Sequence, residues 1–204
     1  MTLIVAPKQM NLQKSIALAC CAILALSGNG LSAKAAETQS GNSRRTFADW
    51  CRQKADLSPE AKRTVEVLLE RAETTECDAA DQELSSLRGL GFINDQISDI
   101  KPLESLTNLT YLDLGDNQIS DIKPLQSLIN LTELSLHNNK ISDIKPLQSL
   151  TSLTYLNLNN NRISDIKPLE SLTKLTELIV SGNPIAPKTC PLKPESICKW
   201  EPSN

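Results

Sequence analysis

LTNLTYLDLGDNQISDIKPLQS, residues 106–127, decides how this chain folds. It returns at Leu128 as LINLTELSLHNNKISDIKPLQS and at Leu150 as LTSLTYLNLNNNRISDIKPLES, a period of 22 residues. A weaker copy precedes these from Leu84 to Ser105, and a shortened one follows from Leu172 to about Lys188. Within the Leu106 unit, Leu112 and Leu114 alternate with Tyr111, Asp113 and Gly115. That spacing of two predicts a short strand with its leucines turned inward. Ile119, Ile122 and Leu125 then turn inward on the return path. One such coil buries too few side chains to offset the ordering of its backbone, so coils must stack and both ends need lids.

The spacing L-x-x-L-x-L-x-x-N-x-I repeated at a fixed short period is the signature of a leucine-rich repeat. The ending I-S-D-I-K-P-L over residues 119–125, with its copies, resembles the 22-residue class found in internalins. The resemblance covers residues 84–185. It implies an α/β solenoid, a right-handed leucine-rich-repeat horseshoe with a parallel concave sheet, a helical N-terminal cap and a disulfide-closed C-terminal cap. The NPI motif at 183–185 with the C-P…C-x-W ending of 190–200 resembles small exported leucine-rich-repeat proteins common in cyanobacteria.

Asn117 follows the strand where the chain bends, and Asn139, Asn161 and Asn183 repeat it, with Asp95 in the first unit. A primary amide both donates and accepts, so these positions predict a ladder satisfying backbone groups that the bend leaves unpaired. Asp121 and Lys123, with copies at 99/101, 143/145 and 165/167, fit a single capped helical turn that the following proline stops.

The expected layout is a signal peptide at 1–35, a flexible linker at 36–45, a helical N-terminal cap at 46–83, five repeats at 84–188 and a C-terminal cap at 189–204. Lys8 and Lys14 precede an apolar run from Ile16 to Leu26, and Ala33-Lys34-Ala35 offers a cleavage site. The run is short for a bilayer span. A lipoprotein signal through Cys20 and an uncleaved anchor remain alternatives, and only they imply membrane contact. In the cap, Thr46 can start one helix and Ser58-Pro59-Glu60 a second. Val65, Leu68, Leu69 and Ala72 share a face of that second helix, and Asp78 can cap a last turn leading to Leu84.

Removing residues 1–35 takes out three lysines and no acid, leaving 18 basic residues against 24 acidic ones, a net charge of −6. That balance argues against a nucleic-acid partner. Cys51, Cys77, Cys190 and Cys198 lie two in each flank and none in the repeats. Export makes disulfides the default. The flanks close opposite ends of the stack, which selects Cys51–Cys77 and Cys190–Cys198 and excludes a four-cysteine zinc site. No metal, cofactor or catalytic motif is read. The one histidine, His137, has Ser135 on its own strand and no acid expected beside it.

In leucine-rich-repeat proteins the concave sheet usually binds the partner. The resemblance therefore implies contact through Tyr111, Asp113, Glu133, Ser135, His137, Tyr155, Asn157, Asn159, Glu177 and Ile179. Five strands at ~4.8 Å and three residues of ~3.4 Å each give a strip of roughly 24 by 10 Å. A standard interface takes about 800 Å² per partner, so the strip suits a peptide or an interface that also uses neighbouring loops or a cap. The expected function is a non-enzymatic protein-binding module, secreted or periplasmic, with a protein or peptide partner and no small-molecule cofactor. The alternative is a structural or self-associating envelope protein without a dedicated ligand.

Overall fold

The computed structural model describes residues 45–201. The stretch expected to be a signal peptide, with Cys20, and the expected linker up to residue 44 lie outside the described residues. The described chain begins with three helices: α1 Phe47–Arg52, α2 Pro59–Arg71 and α3 Cys77–Ser86. Six short strands follow: β1 Gly89–Gly91, β2 Tyr111–Asp113, β3 Glu133–Ser135, β4 Tyr155–Asn157, β5 Glu177–Ile179 and β6 Cys198–Lys199. They form one parallel sheet in sequential order. Each strand from β1 to β5 is followed by a return path containing a single 3-10 turn, Lys123–Ser127 in the second unit and Lys145–Ser149 in the third. The architecture is the leucine-rich-repeat solenoid.

The leucines and isoleucines of each unit form one continuous core, in which Leu106, Leu109, Leu112, Leu114, Ile119, Ile122 and Leu125 are all buried in the second unit. Polar ladders hold the coils in register. The Asn139 side-chain NH₂ donates to the carbonyls of Leu114 in the preceding coil and of Leu136 and His137 in its own. Its oxygen accepts the Ile119 N–H of the preceding coil at 2.9 Å. Asn117, Asn161 and Asn183 repeat the pattern. In the first unit, which among the described residues follows helices rather than a coil, Asp95 instead pairs with Arg71 of α2 at 3.0 Å. The Asp of each return path accepts an N–H at the start of the 3-10 turn, Asp121 Oδ1 from Lys123 at 2.9 Å with its copies alike. The proline does not stop the turn as expected: Pro124 lies inside Lys123–Ser127, where its missing N–H costs no hydrogen bond.

Two further ladders run along the stack. Thr132 Oγ1 donates to the Thr110 carbonyl at 3.0 Å, and Thr154 and Thr176 continue the series. Ser149 Oγ donates to the Gln126 carbonyl at 3.0 Å, with Ser127 and Ser171 beside it. Both residue types recur every 22 positions, but recurrence alone does not tell a hydroxyl bonded to the neighbouring coil from a solvated one.

The N-terminal helices cover the first coil. Thr46 and Asp49 form a reciprocal capping box on α1, and Ser58 Oγ accepts the Ala61 N–H to start α2. Helix α2 buries Ala61, Thr64, Val65, Val67 and Leu68, a broader face than the one expected, with Leu69 only half-buried. Its polar side chains finish the first coil: Thr64 Oγ1 donates to the Asp99 carbonyl at 2.6 Å, Arg63 Nε to the Asp95 carbonyl at 3.0 Å and Arg71 Nε to the Gly91 carbonyl at 3.2 Å. These carbonyls have no preceding coil to serve them. Asp78 does not cap a short terminal turn. It sits in the first turn of the ten-residue α3 and pairs with Arg52 of α1. Disulfide Cys51–Cys77 ties α1 to α3.

At the far end, Cys190–Cys198 closes a small loop whose Leu192 and Ile197 are buried, with Trp200 packed against the core. This segment does more than plug the last coil. Cys198 and Lys199 form β6, paired with Leu178 and Ile179, and the Val180 N–H donates to the Lys199 carbonyl at 3.0 Å. A two-residue strand between a proline-rich loop and the chain end carries no alternation that would announce it.

Candidate functional site

Parallel register sorts the outward strand positions into rows that cross the sheet. Gly89, Tyr111, Glu133, Tyr155 and Glu177 make the first row, and Gly91, Asp113, Ser135, Asn157 and Ile179 the second. The third row lies just beyond the strand ends, at Ile93, Gly115, His137, Asn159 and Ser181. All ten sequence-expected residues therefore lie on one face, but they differ in access.

The first row is the open one. Tyr111 is 42% exposed and Glu133 is exposed, while Tyr155 and Glu177 are half-buried. Partial burial raises the pKa of Tyr111 above 10.0, helped by the negative charges of Asp113 and Glu133. Tyr155 is raised too, first by burial and then by the Glu177 carboxylate. Both phenols therefore stay protonated donors at neutral pH.

The second row is the more withdrawn one. Asp113 is only 8% exposed and Ile179 is 9% exposed. Lys199 of β6 stands beside Ile179 and shields what would otherwise be an end strand. Asp113 folds back along its own strand, where Oδ1 accepts the Gly115 N–H at 2.9 Å. Asn157 makes the same turn to the Asn159 N–H at 3.1 Å.

In the third row, His137 has an acid neighbour after all. Its Nε2 lies 3.3 Å from Asp116 Oδ2, and Ser135 Oγ lies 2.8 Å from its Nδ1. Asp116 escaped the strand count because it sits past the strand in a left-handed backbone conformation, φ 55°, from which its side chain reaches the next coil. Asn138 and Asn160 occupy the same conformation one and two coils on. They form an exposed chain of hydrogen bonds, Asn160 Nδ2 to Asn138 Oδ1 and Asn138 Nδ2 to Asp116 Oδ1, each 2.7 Å. The His137 ring lies directly over Gly115, where an added Cβ would collide with it. Both ring nitrogens are engaged by protein groups, so this His is held as a wall of the face.

Among the described residues no group of three or more metal-ligating side chains converges. A polar groove lined by Asp121, Lys123, Asp143 and Lys145 runs between the 3-10 turns, away from the strands. Related grooves recur at neighbouring coils, which marks them as a consequence of the repeat.

A family model described as leucine-rich repeats in two copies matches residues 85–127, 129–171 and 151–193. A crystal structure of internalin C2 from Listeria monocytogenes is similar at 42% identity over 58% of this chain and 52% of that one, with a TM-score of 0.54. A second Listeria monocytogenes internalin, inlF, is similar at 31% identity over 65% and 46%, TM-score 0.52. A leucine-rich-repeat protein of Leptospira interrogans is similar at 30% identity over 60% and 33%, TM-score 0.51. The chain thus spans about half or less of each of these structures. No curated protein matches it. Proteins built from such repeats generally serve as binding scaffolds for other proteins, and the repeats here are internalin-like. The chain belongs to the leucine-rich-repeat family.

Proposed function

We propose that this protein is a non-enzymatic binding module that presents its strand face to a protein or peptide partner outside the cytoplasm. The observation that carries the proposal is the register row Tyr111–Glu133–Tyr155–Glu177, in which an exposed tyrosine and an exposed carboxylate stand side by side on a rigid sheet. Tyrosine provides contact area at low entropic cost, and a backbone fixed on both sides by ladder hydrogen bonds loses little more on binding. The partner-binding residues under this reading are Tyr111, Glu133, Tyr155 and Glu177, with Asp113, Ser135, His137, Asn157, Asn159 and Ile179 beneath and beside them.

Export is supported by the basic and then apolar start of the sequence and by the two cystines, one at each end of the stack. On this reading residues 1–35 are a signal and 36–45 a linker before the N-terminal cap. The proline-rich ending with Cys190, Cys198 and Trp200 supports a relation to the small exported proteins of cyanobacteria.

The test pairs Tyr111→Ala and Tyr155→Ala with partner capture from envelope and medium fractions. Loss of a partner at unchanged melting temperature supports a binding module. Unchanged capture together with an altered oligomer size contradicts it and supports a self-associating structural protein.

A further inference from the structure

Resting on the binding-face reading and narrowing its partner, we infer that the face receives a basic side chain, arginine above all, from a peptide segment, seated beside Asp113. Asp113 occupies an outward strand position yet is 92% buried, counting from its 8% exposure. One carboxylate oxygen accepts the Gly115 N–H, and the neighbouring Tyr111 side chain engages the carboxylate as well. Among the described residues no Lys, Arg or His pairs with it. A carboxylate this withdrawn from water ordinarily has a counter-charge. The nearby cation, Arg71, is already committed to Asp95 and to the Gly91 carbonyl.

The space for a visitor is beside it. Gly91 is the register partner of Asp113, and a Cβ added at Gly91 would meet no atom within 4 Å. Gly89, the register partner of Tyr111, extends the same bare floor, with a Cβ there 3.6 Å from Tyr111 Cδ1. The open space thus has a glycine floor, the Tyr111 ring beside Gly89 and the Asp113 strand position beside Gly91. Ile93, 55% exposed, stands at the open end. An arginine fits this chemistry in each part. Its planar head stacks on the phenol ring and bonds the carboxylate, and its aliphatic stem lies along apolar surface. Glu133 on the far side of Tyr111 adds negative potential without closing this space. A peptide is the source because the bare floor opens onto a strip too narrow for a large globular surface.

The test titrates the full chain with the peptide acetyl-Gly-Arg-Gly-amide and with its citrulline counterpart, followed by ¹H–¹⁵N correlation spectra. Citrulline keeps the shape and removes the charge. The inference expects the arginine peptide to bind about tenfold more tightly, as a charge-assisted contact should, with shifts centred on the amides of Gly89, Gly91 and Tyr111. It expects that preference to vanish in Asp113→Asn. That variant retains the local turn, since Asn157 makes the same hydrogen bond in the fourth unit. Equal binding of the two peptides, or a preference that survives Asp113→Asn, overturns the inference. A captured partner that ignores Asp113→Asn but is lost with Tyr155→Ala overturns this inference alone. One that ignores Tyr111→Ala and Tyr155→Ala removes the binding-face reading itself.

Discussion

Asn139 accepts the Ile119 N–H from the neighbouring coil through a buried hydrogen bond of 2.9 Å, and its NH₂ group serves three carbonyls on both sides of the same junction. Replacing it with Ala leaves these groups unpaired in the interior. Unsatisfied buried groups cost about 1–3 kcal/mol each, so Asn139→Ala is expected to lose about 3 kcal/mol or more. Asn183→Ala at the more open end is expected to lose less, because its bonds are only partly buried. Urea unfolding of both variants checks the order.

The strand face contains the only two tyrosines of the chain, so an alkaline absorbance titration reads Tyr111 and Tyr155 alone. Both pKa values are raised from 10.0 in the folded protein. An acid raised on folding contributes stability that is fully present below its unfolded pKa and is lost as pH rises through the folded one. Both phenols are therefore expected to ionise above pH 10, with stability falling across that interval. Glu133→Gln is expected to lower both midpoints, since its charge acts on each ring. Unfolding in urea returns them to about 10.

Gly115→Ala tests the seat of His137. The ring must swing off the added methyl group. That breaks its contacts with Ser135 and Asp116, which are surface contacts worth about 1 kcal/mol or less together. A small loss of stability is expected in the wild-type background and almost none in His137→Ala, giving a measurable coupling in a double-mutant cycle.

The two cystines are expected to contribute unequally. In the chain-entropy description the Cys51–Cys77 loop, with a separation of 26, is worth about 3.5 kcal/mol. The Cys190–Cys198 loop, with a separation of 8, is worth about 2.5 kcal/mol. Paired alanine variants compared by denaturant unfolding check the ranking.

Most of the solenoid is legible in the sequence because the period of 22 fixes every inward position at once. Leu112, Asn117 and Ile122 each announce themselves by recurring. The Thr132 and Ser149 ladders recur too, yet a hydroxyl's partner in the neighbouring coil is not written in the spacing, and what has no copy is harder still to read. Strand β6 has two residues and no copy, and the breadth of the buried face on α2 depends on the shape of the coil beneath it. At the candidate site, strand alternation identifies which side a residue faces but not how deeply it sits. Asp113 reads as solvated until the turn to Gly115 is seen. Asp116 reads as loop until its left-handed backbone brings the carboxylate to His137. Side-chain reach between coils is a tertiary property, and only Tyr111, whose neighbour in register is glycine, could have been singled out from spacing.

Whether the strand face binds is read by comparing the affinity of one purified, captured partner for two variants of the full chain. The first is Tyr111→Ala with Tyr155→Ala on the strand face. The second is Lys123→Ser with Lys145→Ser on the opposite, 3-10 side. If the strand face binds, the tyrosine pair weakens binding by about 2 kcal/mol or more, as loss of hot-spot aromatics does, while the lysine pair leaves the affinity unchanged. Full affinity in the tyrosine variant together with loss in the lysine variant would contradict it.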